Sequence, residues 1–360
     1  MTLILGIETS CDETAASVVE DGRQVLSNLI YSQHDLHRQY QGVVPEIASR
    51  AHLERIGPVI DESLQEANTT IDQIDAVAVG NRPGLIGSLI VGVSAAKAIA
   101  WLTSKPLIGV NHVEAHLHVA SLVRSTKSGR PRPNPQFPAL GLIVSGGHTS
   151  LYELSSPSAM RLLGRTIDDA VGEAFDKAAV ILGLPYPGGP AIDQLAVQGD
   201  PTAYKLPRPL LGPDRLDFSF SGLKTALLYT VRGKPQRHGG QTYFERSSGD
   251  LTETERADLA ASFQAAAVET LVLKLDRAIR RLTTEGRLPG SLVIGGGVSA
   301  NSLLRKRAME LGIEHGLDVH IPDLEYCLDN AAMIASLAYE FYLQRRFDNL
   351  SLPVSATIFS

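Results

Sequence analysis

Apolar residues in this chain occur either in short unbroken runs or in long periodic ones, and the alternation of the two predicts an α/β architecture. Leu3-Ile4-Leu5-Gly6-Ile7 reads as a buried strand ending in the polar turn Glu8-Thr9-Ser10. Thr14 to Val19 reads as its return strand, and Gly22 marks the next turn. A similar cassette starts at Ala139, with Leu140-Gly141-Leu142-Ile143-Val144, the turn Ser145-Gly146-Gly147-His148 and a return strand over 150–154. Each hairpin has a later counterpart. A strand over 74–79 leads through Gly80-Asn81-Arg82-Pro83-Gly84 into a helix reaching Leu102. Leu292-Val293-Ile294 leads through Gly295-Gly296-Gly297 straight into a helix from about Asn301 to Leu311. Steps of three and four predict amphipathic helices over about 44–67 and after the capping box Thr252-x-x-Glu255, where Leu259, Phe263, Ala267, Leu271, Leu275, Ala278 and Leu282 share a face. Hairpin followed by strand, glycine turn and helix occurs twice, which implies a duplicated fold of two lobes with a cleft between them.

The expected organisation is a first lobe over 1–123, a linker over 124–138 and a second lobe over 139–329. A C-terminal part over about 330–360 contains a helix from Asn330 to Gln344 that packs back on the first lobe. The linker is basic, proline-rich and aperiodic, and the loop from Arg232 to Gly249 has the same character. A chain of 360 residues has room for about two domains. Its composition, 44% hydrophobic and 20% charged, is that of an ordinary globular protein.

Composition also narrows the function. Two cysteines, Cys11 and Cys327, make no disulfide framework and read as small buried hydrophobes in a reducing compartment. The N-terminus is too short and too acidic for a signal peptide, and no apolar run is expected to reach about 18 residues, so the chain reads as cytoplasmic, without a membrane segment. A net charge of −6 disfavours a uniformly basic nucleic-acid surface. RNA contact would need a partner or a local patch, and the candidates are Arg124/Lys127/Arg130/Arg132, Arg232/Lys234/Arg237 and Arg305/Lys306/Arg307.

The sharpest chemical signal is His112-Val113-Glu114-Ala115-His116. Imidazoles four residues apart on a helix share a face, about 5–6 Å apart at Cβ, which is a metal-ligand spacing. Glu114 points roughly 200° away from His112, so it cannot act as the general base of a zinc protease. His34, His37, His118 and His148 show no such pairing. The turns Ser145-Gly146-Gly147 and Gly295-Gly296-Gly297 are backbone cradles suited to a nucleotide, the second expected to offer free helix N–H groups to an anion. Asp193, one helical turn after Pro190, is a candidate ribose partner. Asp12 and Glu13, at the end of the first strand, are candidates to orient a nucleophile or accept its proton.

A longer ordered set of motifs resembles one family. It comprises Gly6-Ile7-Glu8-Thr9-Ser10-Cys11-Asp12-Glu13-Thr14, Gly42-Val43-Val44-Pro45-Glu46, the His112/His116 pair, Ser145-Gly146-Gly147-His148-Thr149 and Gly172-Glu173-Ala174-Phe175-Asp176-Lys177. Tyr186-Pro187-Gly188-Gly189-Pro190, Phe218-Ser219-Phe220-Ser221-Gly222-Leu223-Lys224, Gly295 to Asn301 and Asp329-Asn330 complete it. The whole resembles the TsaD family of tRNA threonylcarbamoyladenosine transferases. The resemblance implies the duplicated actin, sugar-kinase and Hsp70-like (ASKHA) fold. It also implies transfer of a threonylcarbamoyl group from threonylcarbamoyl-AMP to N6 of the adenosine 3′ of the anticodon, position 37, in tRNAs reading codons that begin with A, with release of AMP. It makes Asp329 the third ligand, beside His112 and His116, of one divalent ion, Fe2+ or Zn2+. It assigns Ile143, Val144, Ser145, Gly146, Gly147, Asp176, Gly189 and Asn301 to the acyl-adenylate, and it implies TsaB-like and TsaE-like protein partners. The chain departs from the family in having Arg82 where Gly-Pro-Gly is usual, Leu328 for a common Thr, and Ala331 for a common Gly. Three rivals stand beside this reading: a sugar kinase or ATPase of the same fold, a metalloprotease and a non-catalytic nucleotide-gated scaffold.

Overall fold

A computed structural model of the chain describes residues 1–37, 40, 42–124, 133–209, 212, 214–238 and 241–357. They fall into two compact units, one of Met1–Pro135, Ser155–Met160 and His320–Ser360, the other of Gln136–Leu154 and Arg161–Val319.

In the first unit, β1 (Leu3–Glu8), β2 (Glu13–Glu20) and β3 (Gln24–Ser32) form an antiparallel meander. The short helix α1 (His34–His37) and the long helix α2 (Pro45–Glu66) follow. Next come β4 (Ala76–Arg82), α3 (Ile86–Thr103), β5 (Leu107–Asn111), the single turn α4 (His112–Ala115) and β6 (Val123–Arg124). The sheet order is β5-β4-β1-β2-β3-β6, with β4 parallel to both β1 and β5.

The second unit repeats the scheme. Apart from the hairpin tip Ser155–Met160, it contains β7 (Ala139–Val144), β8 (Thr149–Ser156), β9 (Ala159–Arg165), α5 (Val171–Leu182), α6 (Gly188–Ala196) and α7 (Ser221–Arg232). After the hairpin β10 (Gln236–His238) and β11 (Gln241–Tyr243) come α8 (Glu253–Thr284), β12 (Ser291–Gly295), α9 (Ser302–His315) and β13 (Asp318–His320). Its sheet runs β13-β12-β7-β8-β9, with β12 parallel to β7. The first five strands of the other sheet stand in the same order, so the duplication extends to topology.

Strand alternation explains how the first sheet is covered on both faces. Leu3, Leu5 and Ile7 pack with Val59, Ile60, Val93 and Ala96 of α2 and α3. Ile4 packs with Met333, Ile334 and Leu337 of α10 (Ala331–Leu343), the last helix of the chain. Gly6 lies under α10 so closely that a Cβ would collide with the Ala331 carbonyl oxygen, and glycine alone permits that crossing.

Several expectations need correcting. The chain returns to the first unit at His320, not near residue 330, so the 320–329 segment that carries Asp329 belongs with the first sheet. Tyr326 is buried there against the α10 core. Arg124 is not linker but the end of β6, held by Glu325 at 3.0 Å and Glu66 at 3.2 Å. The rest of the linker's basic cluster, Lys127, Arg130 and Arg132, lies outside the described residues. The loop 232–249 is not wholly aperiodic but contains the β10–β11 hairpin. The helix α3 is 18 residues long with a mean hydropathy of 1.6, enough by length and composition alone to cross a membrane. Here Leu89, Val93, Ala96 and Ala100 make it a flanking helix of the sheet.

Candidate functional site

The ends of β1, β5 and the 320–329 segment bring one cluster of ligand-type side chains together in the first unit. Asn111 accepts hydrogen bonds from the N–H groups of Val113 and Glu114, and this N-cap makes residues 112–115 helical for one turn. That turn, with His116 as its C-cap, is enough to aim both imidazoles one way. Their ring centroids are 4.9 Å apart and nearly perpendicular. Asp329 precedes α10, and Asn330 fixes its position. The Asn330 amide donates to the carbonyl of Leu328 at 2.8 Å, while its Oδ1 caps the Met333 N–H at 3.0 Å. Asp329 Oδ1 thereby lies 3.5 Å from His112 Nε2 and 3.3 Å from His116 Nε2.

The electrostatics fit a cation. Burial alone would drive the His112 pKa down, but Glu8 and Asp329 more than offset it and raise it to about 9. Among the described residues, both ring nitrogens of buried His116 lack a hydrogen-bond partner. Two imidazole nitrogens and a carboxylate oxygen within 4.8 Å of one another are a donor set for a divalent ion, and the orphaned His116 nitrogens are what such an ion would satisfy. The outer support is also present. Glu8 Oε2 lies 3.0 Å from His112 Nδ1, and Ser10 Oγ lies 3.1 Å from the same nitrogen. Sequence reasoning overlooked Glu8 and Ser10 as supports, although both sit in the opening motif.

Asp12 and Glu13 are buried nearby. Burial, followed by the charges of Asp329 and Asp12, pushes the Glu13 carboxyl well above its usual range. His34, which showed no pairing in sequence, comes 3.8 Å from Asp12 Oδ2. Behind them runs a buried chain that also escaped the sequence. The Val44 N–H donates to His37 Nδ1, His37 Nε2 meets Gln33 Oε1, and Gln33 Nε2 lies 3.3 Å from His52 Nδ1. His52 Nε2 lies 3.0 Å from the carbonyl of Cys11, next to the acid pair. Burial also pushes up the Cys11 pKa, so its thiol stays protonated. Glu114 points away from the histidines, as its spacing required, toward Arg82 and Arg346.

The second unit holds the remaining candidates in a closed ring of contacts. Ser145 and His148 pair across their turn at 2.8 Å, and the Glu173 N–H at the start of α5 donates to Gly146 O. A Cβ on Gly172 would lie 2.5 Å from Ser145 O, so α5 abuts the turn directly. Asp176 accepts from the Gly188 N–H at 2.8 Å, which ties α5 to α6. Asp193, on α6, accepts from the Ser302 hydroxyl at 2.7 Å and from the Asn301 amide at 3.3 Å. Gly296, at φ +94°, closes the ring, since a Cβ there would meet Val144 O at 2.5 Å. Added Cβ atoms on Gly146, Gly147 and Gly189 would meet open space. Ile143 and Val144 are fully buried. The triple glycine does not run straight into a helix. A 3-10 turn over Gly297–Ala300 intervenes, and two of the first N–H groups of α9 are already bound by Asp193 and Asn301.

The matching family model is that of TsaD, the tRNA N6-adenosine threonylcarbamoyltransferases, over residues 24–336. The chain belongs to the TsaD family. An Anaeromyxobacter dehalogenans threonylcarbamoyltransferase is 52% identical over 336 residues, covering 93% of this chain and 92% of its own. A Moorella thermoacetica relative of the same name is 47% identical over 98% of this chain and 95% of its own. Among solved structures, full-length HypF aligns with a TM-score of 0.56 at 14% identity, over 96% of this chain and 56% of its own. Component A of Acidaminococcus fermentans (R)-2-hydroxyglutaryl-CoA dehydratase aligns at 0.51 and 13%, over 94% and 98%. At such identities the two structures bear on the fold alone, and they agree with the duplicated actin and sugar-kinase-like class. As a TsaD enzyme the chain is a transferase and its substrate is tRNA, so the kinase, protease and scaffold rivals fall away.

Proposed function

We propose that this TsaD enzyme takes the threonylcarbamoyl group from threonylcarbamoyl-AMP and places it on N6 of adenosine 37 in tRNAs reading codons that begin with A, releasing AMP. The observation that carries the reading is the convergence of His112, His116 and Asp329 in the first unit, with His116 unsatisfied and Asp12 and Glu13 beside it. These three side chains would hold one Fe2+ or Zn2+, which when bound supplies Lewis acidity and a template for the anhydride. Glu8 keeps the His112 ring oriented for that role. The N6 amine is a weak nucleophile that must lose a proton on acylation. Asp12 and Glu13, buried beside these side chains, are suited to orient the amine and to accept that proton.

The reading assigns the adenylate to the second unit's loops. Gly146, Gly147 and Gly189 offer uncrowded backbone, with Ile143, Val144, Ser145, Asp176, Asp193 and Asn301 around them. AMP is a good leaving group, so positioning and charge stabilisation suffice without a covalent nucleophile. TsaB-like and TsaE-like partners and a cytoplasmic setting belong to the same proposal. Two cysteines outside any disulfide and a net charge of −6, which leaves tRNA recruitment to a patch or a partner, support it.

The test combines purified chain, partners, tRNA and threonylcarbamoyl-AMP, and reads the mass of the modified adenosine together with bound metal. Parent protein should carry one ion per chain and modify adenosine, and His112→Ala should lose both. Full metal content in His112→Ala would overturn the assignment of the ligands.

A further inference from the structure

Behind the turn that carries the histidines, the first unit contains a cavity of about 400 Å³. Arg82, Glu114 and Arg346 line it, together with Asn81, Asn111 and Phe347. The three charges are uncommitted to one another. Among the described residues, no ion pair joins either guanidinium to Glu114, although both arginines act on its carboxyl electrostatically. Arg82 Nε is buried and has no hydrogen-bond partner among the described residues. Arg346 lies over the Phe341 ring at 4.2 Å, and its guanidinium makes no hydrogen bond among the described residues. Among the described residues, the Glu114 carboxylate accepts only a long 3.3 Å bond from the Asn111 amide. Asp348, the other carboxylate at the rim, is already taken by the Gly109 N–H. Two planar cations with no ion pair among the described residues, an exposed aromatic ring and an acceptor carboxylate therefore surround a space of ligand size.

That set is the complement of a nucleotide. Guanidinium forks match phosphate oxygens, arginine and aromatic planes stack on a base, and a carboxylate accepts from base amino groups or ribose hydroxyls. The substrate is an RNA, and unpaired RNA nucleotides are recognised in this way. We propose that this cavity holds one unpaired nucleotide of the tRNA, with Arg82 and Arg346 on its phosphate. Asn111 and Glu114 belong to the cavity and to the turn bearing His112 and His116 alike, so the bound nucleotide would brace the metal-binding turn from its far side. The inference rests on tRNA as substrate and does not depend on the metal.

The experiment measures binding of a fluorescein-labelled tRNA anticodon stem-loop to the full chain by anisotropy, with UMP as the free-nucleotide probe. Arg82→Ala and Arg346→Ala should each weaken the RNA about five- to tenfold and flatten its salt dependence by about one phosphate contact. Arg82→Lys should fall between, because it keeps charge but loses the fork. Metal content should stay at the parent level, which separates this proposal from the metal-site reading. Arg346 is exposed, so its variant stands if Arg82→Ala misfolds. Parent protein that fails to bind the stem-loop overturns the proposal. So do variants that bind RNA like the parent, whether they lose UMP, marking a free-nucleotide site, or lose a protein partner.

Discussion

Glu8 Oε2 lies 3.0 Å from His112 Nδ1 in the protein interior, and through this contact the end of the first strand sets the orientation of a candidate metal-ligand ring more than a hundred residues away. The carboxylate leaves Nε2 to face Asp329 and His116. Gly80 makes room for it, since a Cβ there would lie 2.5 Å from Glu8 Oε2.

Replacing Glu8 should therefore cost metal rather than fold. Glu8→Gln keeps the shape but gives a neutral, weaker acceptor. Affinity for Zn2+ is expected to drop about 10–100-fold, the usual consequence of losing an outer-shell carboxylate. Competition against a chromophoric chelator measures it directly, and parent-like affinity would remove Glu8 from this role.

His52 supports the acid pair from behind. Its Nε2 reaches the Cys11 carbonyl at 3.0 Å and its Nδ1 the Thr14 hydroxyl at 2.8 Å, the pattern of a neutral ring donating from Nε2 and accepting at Nδ1. Burial lowers its pKa, in keeping with that state. His52→Phe fills the volume but strands the Cys11 carbonyl, the Thr14 hydroxyl and the Gln33 amide. Urea unfolding should show a loss of about 2–3 kcal/mol. Turnover should fall as well, because the backbone carrying Asp12 loses its tether. Unchanged stability would mean that the hydrogen-bonded chain contributes nothing net.

Acid should weaken the second unit through Glu153. Burial alone would raise this carboxyl, but Arg287 and Arg161 outweigh it and hold its pKa below the usual 4.5. The folded-state pKa is thus lower than the unfolded one, so the stabilisation is fully present above about pH 4.5 and is lost as pH falls through the folded value. Between pH 5 and 3 the parent should lose stability more steeply than Glu153→Gln. Near neutrality the variant should be less stable by about 1 kcal/mol, since both arginines are partly exposed and screened. Thermal melts across that range decide it, and parallel curves would discount the bridge.

Some of the site was legible because its chemistry is local. A spacing of four residues aims His112 and His116 together with only one helical turn to hold them. The same angular argument sends Glu114 to the opposite side, where it lines the arginine cavity. Other motifs could be read only as matches. Phe218 to Lys224 and Gly172 to Lys177 gain a physical reason once Asp168 is seen accepting from Ser219, Phe220 and Ser221, while Asp169 binds Lys177 and Lys224, each at 2.9 Å. Nothing in the order of residues points from Asp168 to a helix start some fifty positions later. The triple glycine was misjudged for a related reason. Its left-handed residue and the 3-10 turn depend on how closely Val144 approaches Gly296, a contact between strands distant in sequence.

The chain's own order of apolar and polar residues determined the two hairpin cassettes, the long helices, the paired imidazoles and the family, because strand alternation, helical periodicity, caps and motifs are properties of neighbours. Tertiary structure alone decided that Asp329 stands with the first sheet, that Glu8 and His52 serve the site, and that Arg82 and Arg346 share a cavity. Those relationships are made by packing α10 and the last segment of the chain onto β1, and burial of apolar faces, not local spacing, chooses which distant polar groups meet.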